Sequence, residues 1–263
     1  GVLMAYQTPG VYVREIPAQT QISVQPTVTT AVFLGTALRG PSNPTLITSW
    51  SNYTTTFGQL SNDYDLGYAV YNFFANGGST AYVSRVANAD ATSASYTFSG
   101  TVSSTPTTLF ALTAKSVGTW ANSTGTDNGL RAQITFDRNT STATGTSATI
   151  TSATLFSLSI TFNGLEVERW QELSLDPPSG RYVKDVLNLF SSYVTCGTPV
   201  VLTSGSTMVV TVVDATYNTA SQAFISGTNG TAPSTDAETA TLWGNVLAGN
   251  GTIQGYDNVK NPL

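Results

Sequence analysis

The stretch 30–86 constrains this chain most. TAVFLGTA (30–37) is a near-continuous apolar run, which predicts a strand buried on both faces. Gly40-Pro41 and Asn43-Pro44 then mark a loop, and Leu46, Ile47 and Trp50 begin the next packed piece. Over 65–75 the apolar residues Leu66, Ala69, Val70, Phe73 and Phe74 fall on one helical stripe. Ser61, Asn62 or Asp63 is placed to cap that helix, and Gly77-Gly78 stop it. Ala81–Val86 reads as a second strand. Strand, helix, strand at this spacing predicts a crossover in a parallel or mixed sheet.

Near residue 90 the character changes to Ser, Thr and Gly. Strand candidates are 107–113, 129–136, 155–162 and 164–170, and Asn163-Gly164 between the last two is a hairpin signal. No charged residue occurs from Asn139 to Gly164, as befits a β layer and its turns. This predicts a β-sandwich-like unit. A helix is expected over 181–194, capped by Ser179, with Tyr182, Val186, Leu189, Phe190 and Tyr193 on its apolar face. Strands are expected at 200–202 and 208–213. Thr235 and Glu238 form a capping box for a further helix with Leu242, Val246 and Leu247 on its apolar side, ending at Gly249.

The fold class that results is α+β and multidomain. Residues 1–29 form an extended N-terminal arm and hinge, and 30–89 the first part of an α/β core. Residues 90–221 are an inserted β-rich domain with one helix. Residues 222–263 are the second part of the core. In the arm, Val11, Tyr12, Val13, Arg14, Glu15 and Ile16 alternate as a strand between Pro9-Gly10 and Pro17. Ala18 to Thr29 is polar and aperiodic. Such a strand must pair elsewhere: with the edge of another subunit, or with this chain's own sheet.

Composition removes whole classes of chemistry. The chain has no histidine, so Ser-His-Asp and Cys-His catalysis and His-metal sites are excluded. Its one cysteine, Cys196, excludes an internal disulfide and any multi-cysteine zinc site, and is expected to be a buried, inert thiol. A net charge of −5 gives no basic stripe for nucleic acid. No run of 18 apolar residues suggests a membrane span. The first residues, GVLMAYQ, lack a leader pattern, and Met4 is a candidate start. Only 10% of residues are charged, against about 25% in typical soluble domains. A neutral, hydroxyl-rich surface suits packing against copies of itself, because few charges need desolvating, and it suits a secreted or viral β-rich protein nearly as well.

The remaining chemistry candidates read as structure. Asp63 and Asp65 (NDYD) lack the ligand spacing of a calcium loop and fit helix capping. Glu166, Glu168 and Asp176 suggest a carboxylate pair for glycoside hydrolysis, but Glu166 and Glu168 alternate with Leu165 and Val167 as a strand's solvent face. Asn76-Gly77-Gly78 and Gly227 to Gly230 are turns, with no phosphate-loop motif. Arg85 suits either a structural ion pair or an interface contact. The sequence therefore yields no catalytic, cofactor-binding or metal site.

Several fragments, in order, carry a resemblance. They are Pro9 to Tyr12; Phe33 to Gly35 with Gly40-Pro41; Ile47 to Ser49 with Phe57-Gly58; and Ala69-Val70, Phe73-Phe74, Asn76 to Gly78 and Ala81 to Val86. Further along come Ala114-Lys115 with Gly118, Trp120 and Asn122; Glu172 to Pro177; and Ile225 to Gly230, where Thr and Asn replace Gly and Asp of the pattern. In this order the chain resembles the sheath proteins of contractile phage tails, pyocins and other contractile injection systems. The resemblance implies a structural subunit without enzymatic activity or cofactor. Its partners would be other sheath subunits in sixfold rings, the tail tube protein, and baseplate and tail terminator proteins, with no nucleic acid and no membrane insertion. Its place would be the virion tail, after assembly in the host cytoplasm. It also implies that the core and the tube-gripping region continue past Leu263. The competing reading is a β-sandwich adhesin or carbohydrate-binding module using exposed aromatics such as Trp120 and Trp170. A hydrolase would need a nucleophile-base pair or a carboxylate dyad that the sequence does not supply.

Overall fold

A computed structural model describes residues 30–125, 128–213 and 216–230. The proposed arm strand Val11–Ile16, its hinge, and the capping-box helix after Thr235 lie outside the described residues.

The described part is mostly β, with three helices and three sheets. In chain order the elements are β1 (Ala31–Gly35), β2 (Thr45–Ile47), α1 (Trp50–Phe57), α2 (Leu66–Ala75), β3 (Ala81–Arg85), β4 (Ser95–Val102) and β5 (Thr105–Ala114). There follow a single 3₁₀ turn (Thr119–Ala121), β6 (Leu130–Phe136), β7 (Thr142–Thr144), β8 (Ser147–Ile150), β9 (Leu155–Phe162) and β10 (Leu165–Ser174). The last are α3 (Val183–Phe190), β11 (Val194–Cys196), β12 (Met208–Thr211) and β13 (Gln222–Ala223).

β1, β3 and β2 form the first sheet in that order. β1 runs parallel to β3 (Ala31 opposite Ala81, Gly35 opposite Arg85), and β2 is antiparallel to it. The expected crossover is present, with α1 added to it. β1 is not buried on both faces, however: it pairs only with β3 among the described residues, and Val32 is 53% exposed. α1 (WSNYTTTF) is rich in weak helix formers. The Ser49 hydroxyl caps it by accepting from Asn52 N at 3.1 Å, and Tyr53 and Phe57 bury its inner face. α2 keeps Leu66, Gly67 and Val70 inside but leaves Ala69 exposed and Phe73 and Phe74 half-buried. Its N-cap is Asp65, not Ser61, Asn62 or Asp63, and no side-chain bond is made there. It ends at Asn76, with Gly77 at φ 92°. Ile47, Tyr53, Phe57, Leu66, Val70, Ala81 and Val83 close a small core of their own.

The larger core lies between two antiparallel sheets, β10-β9-β6-β13 and β11-β5-β4-β12-β8-β7. β6 alternates without a break, so Leu130, Ala132, Ile134 and Phe136 all point inward. Phe110 of one sheet stacks on Phe156 of the other with centroids 5.8 Å apart. Asn163 and Gly164 turn the β9–β10 hairpin at φ 50° and 77°, a conformation that suits this residue pair. No strand forms at 200–202; Val200 N makes one backbone bond to Leu109 O at 2.8 Å, and Val201 is exposed.

α3 is shorter than the apolar spacing predicts. The Ser191 hydroxyl accepts from Val194 N at 3.0 Å and Tyr193 N at 3.2 Å, which turns the chain into β11. Val183, Val186 and Leu187 remain inside, while Leu189 and Phe190 are left 72% and 65% exposed. The helix begins after Tyr182, not at a Ser179 cap.

Candidate functional site: the joint between the two cores

Two buried arginines join the small core to the sandwich. Arg85 ends β3, where its backbone N donates to Pro41 O at 3.3 Å. Its side chain is 5% exposed. Nε donates to Ala37 O at 2.8 Å, within the first unit, and Nη1 donates to Val117 O at 2.9 Å, in the second. Burial pulls its pKa below the ordinary guanidinium value. Between the two roles the sequence left open, this geometry is an interface contact made through backbone carbonyls.

Arg39 is the second tie. Its guanidinium carbon lies 4.5 Å from the Tyr193 ring centre, 5.7 Å from Phe162 and 5.8 Å from Trp120. All three rings belong to the sandwich, and each contact is an attraction of cation to ring face. Its Nη2 donates to Thr55 O at 2.8 Å, at the end of α1. Its Nε is buried and has no hydrogen-bond partner. Next to it, Gly40 N donates to Ser116 Oγ at 3.1 Å. Gly40 sits at φ 116°, and a Cβ there would lie 2.4 Å from Phe57 Cδ1, so glycine is required twice over.

The two ends of the sandwich meet at this joint. Thr92 and Thr228 exchange backbone bonds at 3.1 Å. Asn122 and Gly227 bond reciprocally at 2.8 Å, and Asn229 Oδ1 accepts from Thr119 N at 2.9 Å. The chain thus leaves the small core and returns beside its point of departure.

A cavity of about 290 Å³ opens at the joint, lined among others by Arg39, Gly40, Lys115, Trp120, Leu189 and Phe190. Lys115 Nζ donates to the Ser191 carbonyl at its rim. Neither Arg39 nor Leu189 and Phe190 as exposed groups were foreseen from sequence. The three rings that cradle Arg39 are far apart in the chain, and no local pattern announces them.

The carboxylates do not assemble a reactive pair. β10 bulges between Glu166 and Glu168, so the two leave the common solvent face that their alternation predicts. Glu166 pairs with Arg169 at 2.6 Å and accepts from Ser159 at 2.5 Å, which holds its carboxyl below the usual range. Glu168 turns inward and accepts from Ser191 Oγ and Ser192 N, both at 2.7 Å, and from Trp170 Nε1 at 3.1 Å. Asp63 and Asp65 are exposed at the start of α2. No cluster of three His, Cys, Asp or Glu suited to a metal occurs among the described residues. Cys196 is buried, and burial pushes its thiol up to about 12. Trp120 is buried with Nε1 bonded to Ser116 O, and Trp170 is half-buried against Glu168. Neither forms the open aromatic platform that a carbohydrate-binding reading requires. Among the described residues no helix is long and apolar enough to cross a membrane.

Solved structures similar to this chain include two sheath tail proteins. One is a sheath tail protein from Listeria innocua, at 13% identity and TM-score 0.46, covering 84% of this chain and 38% of that one. The other is a sheath tail protein from Desulfitobacterium hafniense, at 15% identity and TM-score 0.41, covering 92% and 51%. The chain spans about two-fifths to half the length of these proteins. No family model matches the sequence, and no curated protein matches it.

Proposed function

We propose that this chain is part of a structural subunit of a contractile tail sheath, which polymerises as a helical sleeve of six-membered rings around a tail tube. The observation that carries the reading is the convergence of the resembling fragments. Gly40-Pro41, Phe57-Gly58, Arg85, Lys115, Trp120, Asn122 and Gly227 to Gly230 come from separate parts of the sequence and share one joint. A subunit that transmits force needs its bodies locked at such a joint, and a buried polar lock resists shear better than exposed pairs do.

In this reading the arm strand Val11–Ile16 pairs with the sheet of a neighbouring subunit, and 18–29 is the hinge. Backbone pairing survives rotation of the bodies because it depends little on side-chain fit. Each bond contributes about 0.5–1.5 kcal/mol net, so one short strand contributes a few kcal/mol per link. The sleeve contracts by exchanging one body packing for another of lower free energy, with no bond of a substrate broken. In this reading residues 30–89 and the chain that follows β13 and Phe224, which both belong to the sandwich, are one core domain with the sandwich inserted in it. The tail tube, baseplate and tail terminator are the remaining partners, in the virion tail.

Negative-stain microscopy of the full-length protein, with and without residues 1–17, tests this. Long tubes from the intact protein and none from the deletion are expected. Monomers from the intact protein overturn the sheath reading, and tubes from the deletion overturn the arm's role.

A further inference from the structure

The cavity at the joint holds a cation that its own chain pairs only in part. Arg39 lines it at 6% exposure with Nε unpartnered, and Lys115 stands at the rim. No Asp or Glu is among the lining residues. Leu189 and Phe190, the two large apolar side chains that α3 leaves in solvent because Ser191 ends the helix early, also line it. The site is therefore cationic within and apolar at its edge. An occupant that suits it brings a carboxylate flanked by apolar side chains.

We propose that the occupant is a second copy of this chain, docking the corner at the start of α2. There Asp63 and Asp65 are both exposed, and Leu60, Tyr68 and Tyr71 beside them are 39%, 40% and 43% exposed. The same chain thus carries the cavity and its complement in charge and polarity, and the chain is acidic overall, with 15 carboxylates against 10 cations. Cavity and corner are different patches, so the contact repeats head to tail and extends an assembly. The inference deepens the sheath reading and rests on it for the biological setting. It names a body-to-body contact separate from the arm.

Two experiments on the full-length protein test it. In the first, mixed ¹⁴N- and ¹⁵N-labelled protein is treated with a carbodiimide and the products are mapped by mass spectrometry. A mixed-isotope link from Lys115 to Asp63 or Asp65 is expected, and its absence overturns the contact whether or not tubes form. In the second, assembly is followed by light scattering for Lys115→Glu, for Asp63→Lys with Asp65→Lys, and for all three together. Each single reversal raises the concentration needed for assembly about tenfold, and the combination restores it. Phe190→Ser, at an exposed position, also raises it. Unchanged assembly in the reversals overturns the contact and leaves the sheath reading standing. Loss without rescue by the combined variant assigns the cavity to another partner, and this too overturns the proposal. Failure of the unaltered protein to assemble counts against the sheath reading, and the cross-link then decides the contact alone.

Discussion

Arg85 Nη1 reaches the carbonyl of Val117 at 2.9 Å, from the end of β3 into the loop after β5. The same guanidinium holds Ala37 O from Nε at 2.8 Å, so one side chain fixes the spacing of two separately packed cores. Hydrogen bonds from a charged donor contribute about 1.5–3 kcal/mol each, and buried carbonyls left without a donor cost more than the bond was worth. Arg85→Met is expected to destabilise the protein by about 2–4 kcal/mol in urea unfolding. Arg85→Lys recovers less than half of that, because one ammonium does not reproduce the separated Nε and Nη1 donors. A loss under about 0.5 kcal/mol for Arg85→Met would show that the joint does not depend on this residue.

Gly40→Ala tests the joint from the backbone side. The substitution places a methyl 2.4 Å from Phe57 Cδ1 at a φ of 116°. Strain and overpacking together are expected to cost about 2–4 kcal/mol. Phe57→Leu in the same background relieves the clash but not the strain. The double variant is therefore less impaired than the sum of the two singles, as a double-mutant cycle on thermal unfolding will show. Simple additivity would mean that the ring yields freely.

Glu166 and Glu168 look equivalent in the sequence and differ in the fold. Glu166 lies in an exposed pair with Arg169, and such pairs contribute little after solvent screening. Glu168 receives Ser191 Oγ, Ser192 N and Trp170 Nε1, tying β10 to the end of α3. Glu166→Ala is expected to change stability by less than about 0.5 kcal/mol, and Glu168→Ala to lower it by about 1–3 kcal/mol. Chemical denaturation of both variants side by side distinguishes them; equal effects would contradict the role given to the β10 bulge.

The contrast shows which features the sequence makes legible. β6 and β9 are plain because one face is buried along their whole length, and period two then survives in the residues. The Asn163-Gly164 turn is plain because its dihedrals demand those residues. β4 (SYTFSGTV) is missed because Ser, Thr and Gly fill most positions of a strand that buries only Phe98. α1 is missed because its helix is held by a cap and by Tyr53 and Phe57, against the propensity of its threonines. Bulges are invisible to alternation, so Glu168 is assigned to the wrong side. The Arg39 cradle draws on residues 39, 120, 162 and 193, and nothing local records that meeting. The exposed end of α3 is hidden for a related reason: helical spacing continues past the point where Ser191 captures the backbone.

Alkaline pH provides a separate handle on the two cores. Cys196 is buried where β11 meets β5 and α3, and its pKa rises from an ordinary value near 9 to about 12, chiefly through desolvation. Tyr53, in the small core, rises from 10.0 to about 12 by burial. In both, the folded state keeps a proton that the unfolded chain gives up. The folded state thus binds more protons between the two values, and stability falls as pH rises. The contribution of Cys196 is intact below about pH 9 and is lost toward about pH 12, at up to about 1.4 kcal/mol per pH unit. Tyr53 adds a second decline from about pH 10. Denaturant midpoints measured at about pH 8, 9.5 and 10.5 are expected to fall progressively, with the steeper step last. Cys196→Ala flattens the first step and shrinks the second to the part that Tyr53 contributes. A midpoint that does not move between about pH 8 and about pH 10.5 would mean that both groups ionise as freely in the fold as outside it.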